Sequence, residues 1–263
     1  LSRVAAEAVA AVNGDLNAVI EVFDDRIDAD AAAYKSTGPL AGVPMLNKDL
    51  SFAVAGRRQE MGSVFAKGFV PTQNSTTVDR LLAAGINIIG RTTTPEFGNA
   101  GLTESVIAGV TRNPWDVNRT PAGSSGGSAA MVAAGAVPIA TASDGGGSTR
   151  TPASLCGLIG LKPTRGLVPV GPGRGEAGSG LTGTFAVTRT IRDTAALLDI
   201  MAGPASGDPY GAHPLEMPAC DAITRDAPKL RIAFTAENWA GVPTSDACRE
   251  GLRLAMDRLG EVG

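Results

Sequence analysis

Apolar and polar positions alternate along the chain in short strand-like runs and amphipathic stretches. Residues 3–12 form an Ala-rich helical pattern, 17–23 a strand and 25–34 a second helix. After the turn residues Gly38, Pro39 and Gly42, the apolar run 43–50 predicts a buried strand. Ser75 stands at an N-cap position before a helix carrying Val78, Leu81 and Leu82 on one face. Gly85 closes that helix, and 86–89 follows as a strand. Strands alternating with helices are the signature of an α/β layer fold.

Residues 120–160 are dominated by Gly, Ser, Ala and Thr, a composition that in a linker would mean flexibility. Here the small residues flank Met131, Val132, Val137, Ile139, Leu155 and Ile159. Residues 128–134, small or apolar all round, therefore predict a buried helix with tight, ordered glycine turns at its ends. Further on, Thr190 and Asp193 have capping spacing before a helix at 195–201, which Gly203 and Pro204 stop. Residues 205–227, Pro-rich and polar, read as a surface excursion. A strand at 230–234 and a helix from Ser245 or Asp246, striped by Cys248, Leu252, Met256 and Leu259, open a strand–helix unit. No return strand follows before Gly263. The expectation is one α/β domain over residues 1–263, a fragment lacking the extreme N-terminus and the C-terminal part of a longer protein.

Composition narrows the function. With 263 residues, 43% of them hydrophobic, the chain can bury a sizeable core. A net charge of −3 argues against nucleic acid as a partner, and no apolar run reaches membrane-spanning length. Three cysteines without CxxC spacing fit a reducing, cytoplasmic setting. With one histidine, His213, they are too few for a zinc site, so neither metal nor cofactor is expected.

Two Ser-Gly clusters could carry chemistry: Gly123 to Ser128 and Asp144 to Ser148. Ser148 follows three glycines, a backbone that can turn several N–H groups toward one developing oxyanion. A glycine-rich turn in a crowded core is an equal reading. A nucleophilic serine also needs a base. His213 precedes Pro214 in the surface excursion, which leaves Lys48, a charge inside the apolar run 43–50. Strand alternation puts Asn47 and Asp49 on the opposite face, so neither neutralises it. Burial can lower a lysine pKa by about 3–5 units and yield a neutral amine; a snorkelling edge-strand lysine is the bland alternative.

Residues 38–44 with Lys48 and Asp49, the motifs 90–98 and 111–116, and the stretch from Arg119 to Gly166 resemble the amidase signature family in consistent order. Ala122 stands where glycine is more usual, with little effect expected. The resemblance implies a mixed central β-sheet with helices on both faces, incomplete here. It also implies hydrolysis of a small carboxylic amide through an acyl-enzyme. By resemblance Ser148 is the nucleophile, Ser124 the bridging serine after a cis peptide bond, and Lys48 the base. Backbone N–H groups of Gly145, Gly146, Gly147 and Ser148 form the oxyanion hole, braced by Asp144 and Arg150. Thr103 and Glu104 are candidate pocket-wall positions, and a homodimer is the assembly considered.

Competing readings explain less. Gly123-x-Ser125-x-Gly127 matches a nucleophile elbow but needs an acid and a histidine, and leaves Lys48 unused. The GxGxxG run at 173–178 has no helix pattern after it and reads as a loop near the site mouth. Cys156 reads as core. An amidotransferase component drawing ammonia from glutamine for aminoacyl-tRNA amidation, and a truncated non-catalytic binding piece, are the functional alternatives.

Overall fold

The computed structural model describes residues 1–27, 38–173, 175–176, 178–238 and 240–262. Two compact units divide the chain, Leu1–Cys220 and Asp221–Gly263. The first is built on a six-stranded mixed sheet in the order β1-β3-β2-β6-β8-β7. Its strands are β1 (Val19–Val22), β2 (Pro44–Lys48), β3 (Asn87–Thr92), β6 (Ile139–Asp144), β7 (Ile159–Gly160) and β8 (Gly183–Thr188). A separate small hairpin pairs β4 (Glu104–Ser105) with β5 (Gly109–Val110). Strand β2 runs parallel to both β3 and β6, whereas β1 and β8 pair antiparallel at their borders.

Strand alternation divides the core between the two faces of this sheet. Leu46, Ile89, Ala140, Ala142 and Val187 pack with helices α1 (Ser2–Leu16), α4 (Gly126–Ala133) and α5 (Arg150–Cys156). On the other face, Met45, Ile88, Ile139 and Phe185 pack with α3 (Thr76–Ala83) and α6 (Ile191–Met201). The expected mixed sheet with helices on both faces is therefore present. The α2 turn (Asp24–Ile27) opens the helix expected at 25–34; the rest of that segment lies outside the described residues.

Local signals worked where side chains cap a helix end. Ser75 Oγ accepts from Val78 N at 3.4 Å, and Thr190 Oγ1 from Asp193 N at 3.1 Å. Helix α4 is buried as expected and lies very close to the sheet. A Cβ on Gly127 would stand 2.3 Å from Thr93 Oγ1 and 2.7 Å from Ala18 O, so only glycine allows this approach.

In the second unit, helix α8 (Asp246–Val262) starts where expected, with Ser245 Oγ accepting from Cys248 N at 3.4 Å; Leu252 and Met256 are half-buried on its stripe. The strand expected at 230–234 does not form. Leu230, Ile232 and Phe234 alternate correctly, but a strand exists only through a paired neighbour, and none of the described residues pairs with them. Residues 205–227 are largely irregular and exposed, with one helical turn, α7 (Ala219–Ala222).

Candidate active site

Parallel pairing of β2 with β6 brings their carboxyl ends to one edge of the sheet, the place where open α/β sheets bind ligands. Lys48 ends β2, and Ser143 and Asp144 end β6. Ser124 and Ser125 lie in the turn entering α4, and Ser148 in the turn entering α5. Both turns are tied together: Ser125 N donates to Ser148 O at 3.2 Å, and Thr94 Oγ1 donates to Ser124 O at 3.0 Å.

Lys48 is wholly buried, on the Leu46 face of the sheet. Its Nζ lies 2.8 Å from Ser124 Oγ, 2.9 Å from Ser125 Oγ and 3.0 Å from Ser143 Oγ. Asn47 and Asp49 face away, Asn47 donating to Phe52 O and Asp49 pairing with Arg91. Burial drives the Lys48 pKa down from 10.5 to about 7, against the pull of the Asp144 carboxylate. A neutral amine is thus accessible near neutral pH, in contact with a serine hydroxyl.

Asp144, also wholly buried, organises the glycine loop. Its Oδ1 accepts from Gly147 N at 2.7 Å and from Arg150 Nη2 at 2.9 Å. Its Oδ2 accepts from the N–H groups of Thr149 and Arg150 and from Arg150 Nε. Burial works against this charge, but Arg150 and the three backbone N–H groups outweigh it and hold the carboxyl at about 2.

One sequence expectation is corrected here. The N–H of Gly147 is committed to Asp144, so it cannot serve as an oxyanion donor in this geometry. The N–H groups of Gly145, Gly146 and Ser148 have no hydrogen-bond partner among the described residues, and those residues line a cleft of about 430 Å³. Ser124 and Ser143 line it too, as do Leu50, Met61 and Phe97. Ser148 is half-buried, its hydroxyl unbonded among the described residues.

Thr103 and Glu104 are absent from the cleft wall. Thr103 Oγ1 instead donates to Ala122 O at 2.8 Å and accepts from Gly126 N at 3.1 Å, bracing the Ser124 turn from behind. Glu104 is exposed on β4, and His213 is exposed away from the cleft. Ser125, the elbow candidate, is fully buried against Lys48. Ser143 escaped the sequence reading altogether. Recognising 139–144 as a strand parallel to 44–48 would have brought its end next to Lys48, but alternation from Ala140 and Ala142 assigns Ser143 to the other face, so the contact comes from the strand end. The peptide between Gly123 and Ser124 is cis, as the resemblance implied, and Ala122 has a left-handed backbone, φ 63°. That conformation explains why glycine suits the position.

A buried lysine beside one serine, and a second serine at the end of a glycine loop, thus lie at one cleft of an α/β fold. Comparison with known proteins names the family. The family model described as Amidase matches residues 3–263, and the chain belongs to the amidase signature family. It is 38% identical over 262 residues to the 6-aminohexanoate-cyclic-dimer hydrolase of Paenarthrobacter ureafaciens, covering 96% of this chain and 52% of that protein. It is 40% identical over 274 residues to a glutamyl-tRNA(Gln) amidotransferase subunit from Synechococcus sp. (strain RCC307), covering all of this chain and 55% of that one. The solved structure of a 6-aminohexanoate cyclic dimer hydrolase complexed with substrate superposes with a TM-score of 0.94 at 36% identity, covering 100% of this chain and 55% of that one. The chain thus spans about half the length of the relatives it matches.

Proposed function

We propose that this chain carries the catalytic centre of an amidase that hydrolyses a small carboxylic amide to a carboxylate and ammonia or an amine. The observation that carries the reading is the Lys48 amine: buried, held at about 7, and 2.8 Å from Ser124 Oγ. In the proposed relay, neutral Lys48 takes the Ser124 proton while Ser124 takes that of Ser148. Ser148 Oγ then bonds to the amide carbon, and the carbonyl electron pair moves onto oxygen, facing the N–H groups of Gly145, Gly146 and Ser148. As the carbonyl re-forms, the C–N bond breaks and the departing nitrogen takes a proton from Ser124, which Lys48 replaces. Water, deprotonated along the same path, releases the carboxylate and restores Ser148.

Relatives named as amide hydrolases support amide cleavage. The amidotransferase relative supports a second reading, in which the amide is glutamine. Mass spectrometry after treatment with a serine-reactive acylating probe tests the nucleophile. Modification should fall on Ser148 and vanish in Ser148→Ala, whose amide turnover should drop by about 10⁶-fold, the scale of losing a nucleophile. Modification of Ser125 instead, or activity within about tenfold of wild type, would sink the assignment. Ammonia release from glutamine, compared with release from other primary amides, separates the two substrate readings.

A further inference from the structure

Besides the serines and the glycine loop, the cleft lining includes the apolar residues Leu50, Met61 and Phe97, with Ser51 and Asn99 next to them. This apolar part of the wall is held in an unusual way. Met61 and Phe97 both have left-handed backbones, φ 53° and 49°, and each is followed by a left-handed glycine, Gly62 at 65° and Gly98 at 69°. Residues with a Cβ resist this region, and where they adopt it near a site the surroundings enforce it. Here Phe97 N donates to Met61 O at 2.8 Å, and Ser63 Oγ donates to Glu96 Oε1 at 2.6 Å, locking the two arms to each other. Phe97 as a residue nevertheless stays 47% exposed.

Position within the cleft says which part of a substrate this wall meets. A Cβ placed on Gly98 would stand 3.1 Å from Ser124 Oγ, so the arm carrying Phe97 runs directly beside that hydroxyl. In the proposed relay, Ser124 protonates the departing nitrogen. Whatever hangs from that nitrogen therefore leaves Ser124 along the Met61–Phe97 side, while the carbonyl oxygen faces the glycine loop.

Resting on the amidase reading, we infer that Met61 and Phe97 form a subsite for the carbon chain of the amine leaving group. The chemical class selected is amides of unbranched alkyl amines, in preference to amides of ammonia or very short amines. An alkyl chain leaving water against Met61 and Phe97 gains binding that a primary amide lacks. The fixed backbone makes the wall ready before substrate arrives, at no ordering cost on binding.

Two readouts separate the subsite from the chemistry. A small fluorophosphonate, which has no amine chain, reports on Ser148 through its mass adduct. Acetate release from N-ethyl-, N-butyl- and N-hexylacetamide reports on the leaving-group chain. If labelling of one sample confirms Ser148, kcat/KM of the unlabelled enzyme should rise about tenfold or more from the ethyl to the hexyl amide. Phe97→Gly, which suits the left-handed backbone but removes the ring, should flatten that series, and Phe97→Leu should restore most of it. A flat or silent acetate series in unlabelled enzyme whose Ser148 accepts the probe overturns the subsite alone. So does a length dependence that survives Phe97→Gly. If the fluorophosphonate leaves Ser148 unmodified, the amidase reading falls, and the subsite with it.

Discussion

Two buried cations sit one strand apart and have opposite surroundings. Arg91 on β3 pairs with Asn47 of β2 in the sheet register, one residue before Lys48. The Arg91 guanidinium contacts three carboxylates: Glu21 at 2.8 Å, Asp49 at 3.1 Å and Glu60 at 2.6 Å. Burial opposes its charge, but these carboxylates outweigh burial and raise its pKa above the ordinary value. Lys48 meets three hydroxyls instead, and there burial prevails. Hydroxyls donate and accept alike, so they tolerate either protonation state of the amine, whereas carboxylates tolerate only a cation. The difference separates the two environments: carboxylates favour the charged form of Arg91, and burial among hydroxyls favours the neutral form of Lys48.

The largest expected effect is on catalysis. Lys48→Ala should lower amide turnover by about 10²–10⁴-fold, the scale of a general base. It should cost less on activated esters, whose leaving groups depart without a proton. In the wild type, kcat/KM for an amide should rise with pH through about 7 as the amine becomes neutral. The ordering of substrates comes from comparing amide and ester rates in one variant. Equal slowing of both would make Lys48 a structural prop for the serine turn.

The same pair should part again in stability. Arg91→Met leaves the fully buried Asp49 and the largely buried Glu60 without their counter-charge, at a cost of about 3–5 kcal/mol in urea denaturation. Lys48→Met should instead change how stability varies with pH. With a folded pKa near 7 and an ordinary value of 10.5, the unfolded chain binds more protons across that interval. Wild-type stability relative to Lys48→Met should therefore rise from about pH 7 towards 10, by at most about 1.4 kcal/mol per pH unit. A difference that stays flat with pH would mean that folded Lys48 stays protonated, as it is in the unfolded chain.

Much of this contrast was legible in the sequence, and the rest was hidden for physical reasons. A cation in the apolar run 43–50, with Asp49 on the opposite face, marks Lys48, and the serine–glycine clusters mark Ser124 and Ser148. The central strands β6, Ile-Ala-Thr-Ala-Ser-Asp, and β8, Gly-Thr-Phe-Ala-Val-Thr, escaped notice. Gly, Ala and Asp dilute the strand preference of their Ile, Thr, Phe and Val, and tertiary context completes the pairing. With β6 unseen, the strand end that carries Ser143 had no place next to β2. At 230–234 the error ran the other way, because alternation reports a face to be buried without supplying the neighbour that makes a strand. Nor can a run of glycines reveal that Asp144 takes up one of its N–H groups, since that depends on the carboxylate folding back onto its own loop.

The smallest expected effect tests Asp144, a carboxylate that acts on the Lys48 side of the comparison. Asp144 attracts a proton to Lys48 and so holds its pKa above where burial alone would leave it. Asp144→Asn removes that attraction, and the rising limb of the amide pH profile should move to lower pH. The substitution also breaks the Arg150 pair and weakens the anchor of Gly147, so the rate itself should fall. These two effects separate because the limb's position reports the amine's protonation and its height reports the loop. Arg150→Met supplies the control: it frees the same carboxylate while keeping the charge that acts on Lys48. It should lower the rate with little movement of the limb. If the limb stayed in place in Asp144→Asn, the lysine would be tuned by burial and its three hydroxyls alone, and the contrast with Arg91 would be complete.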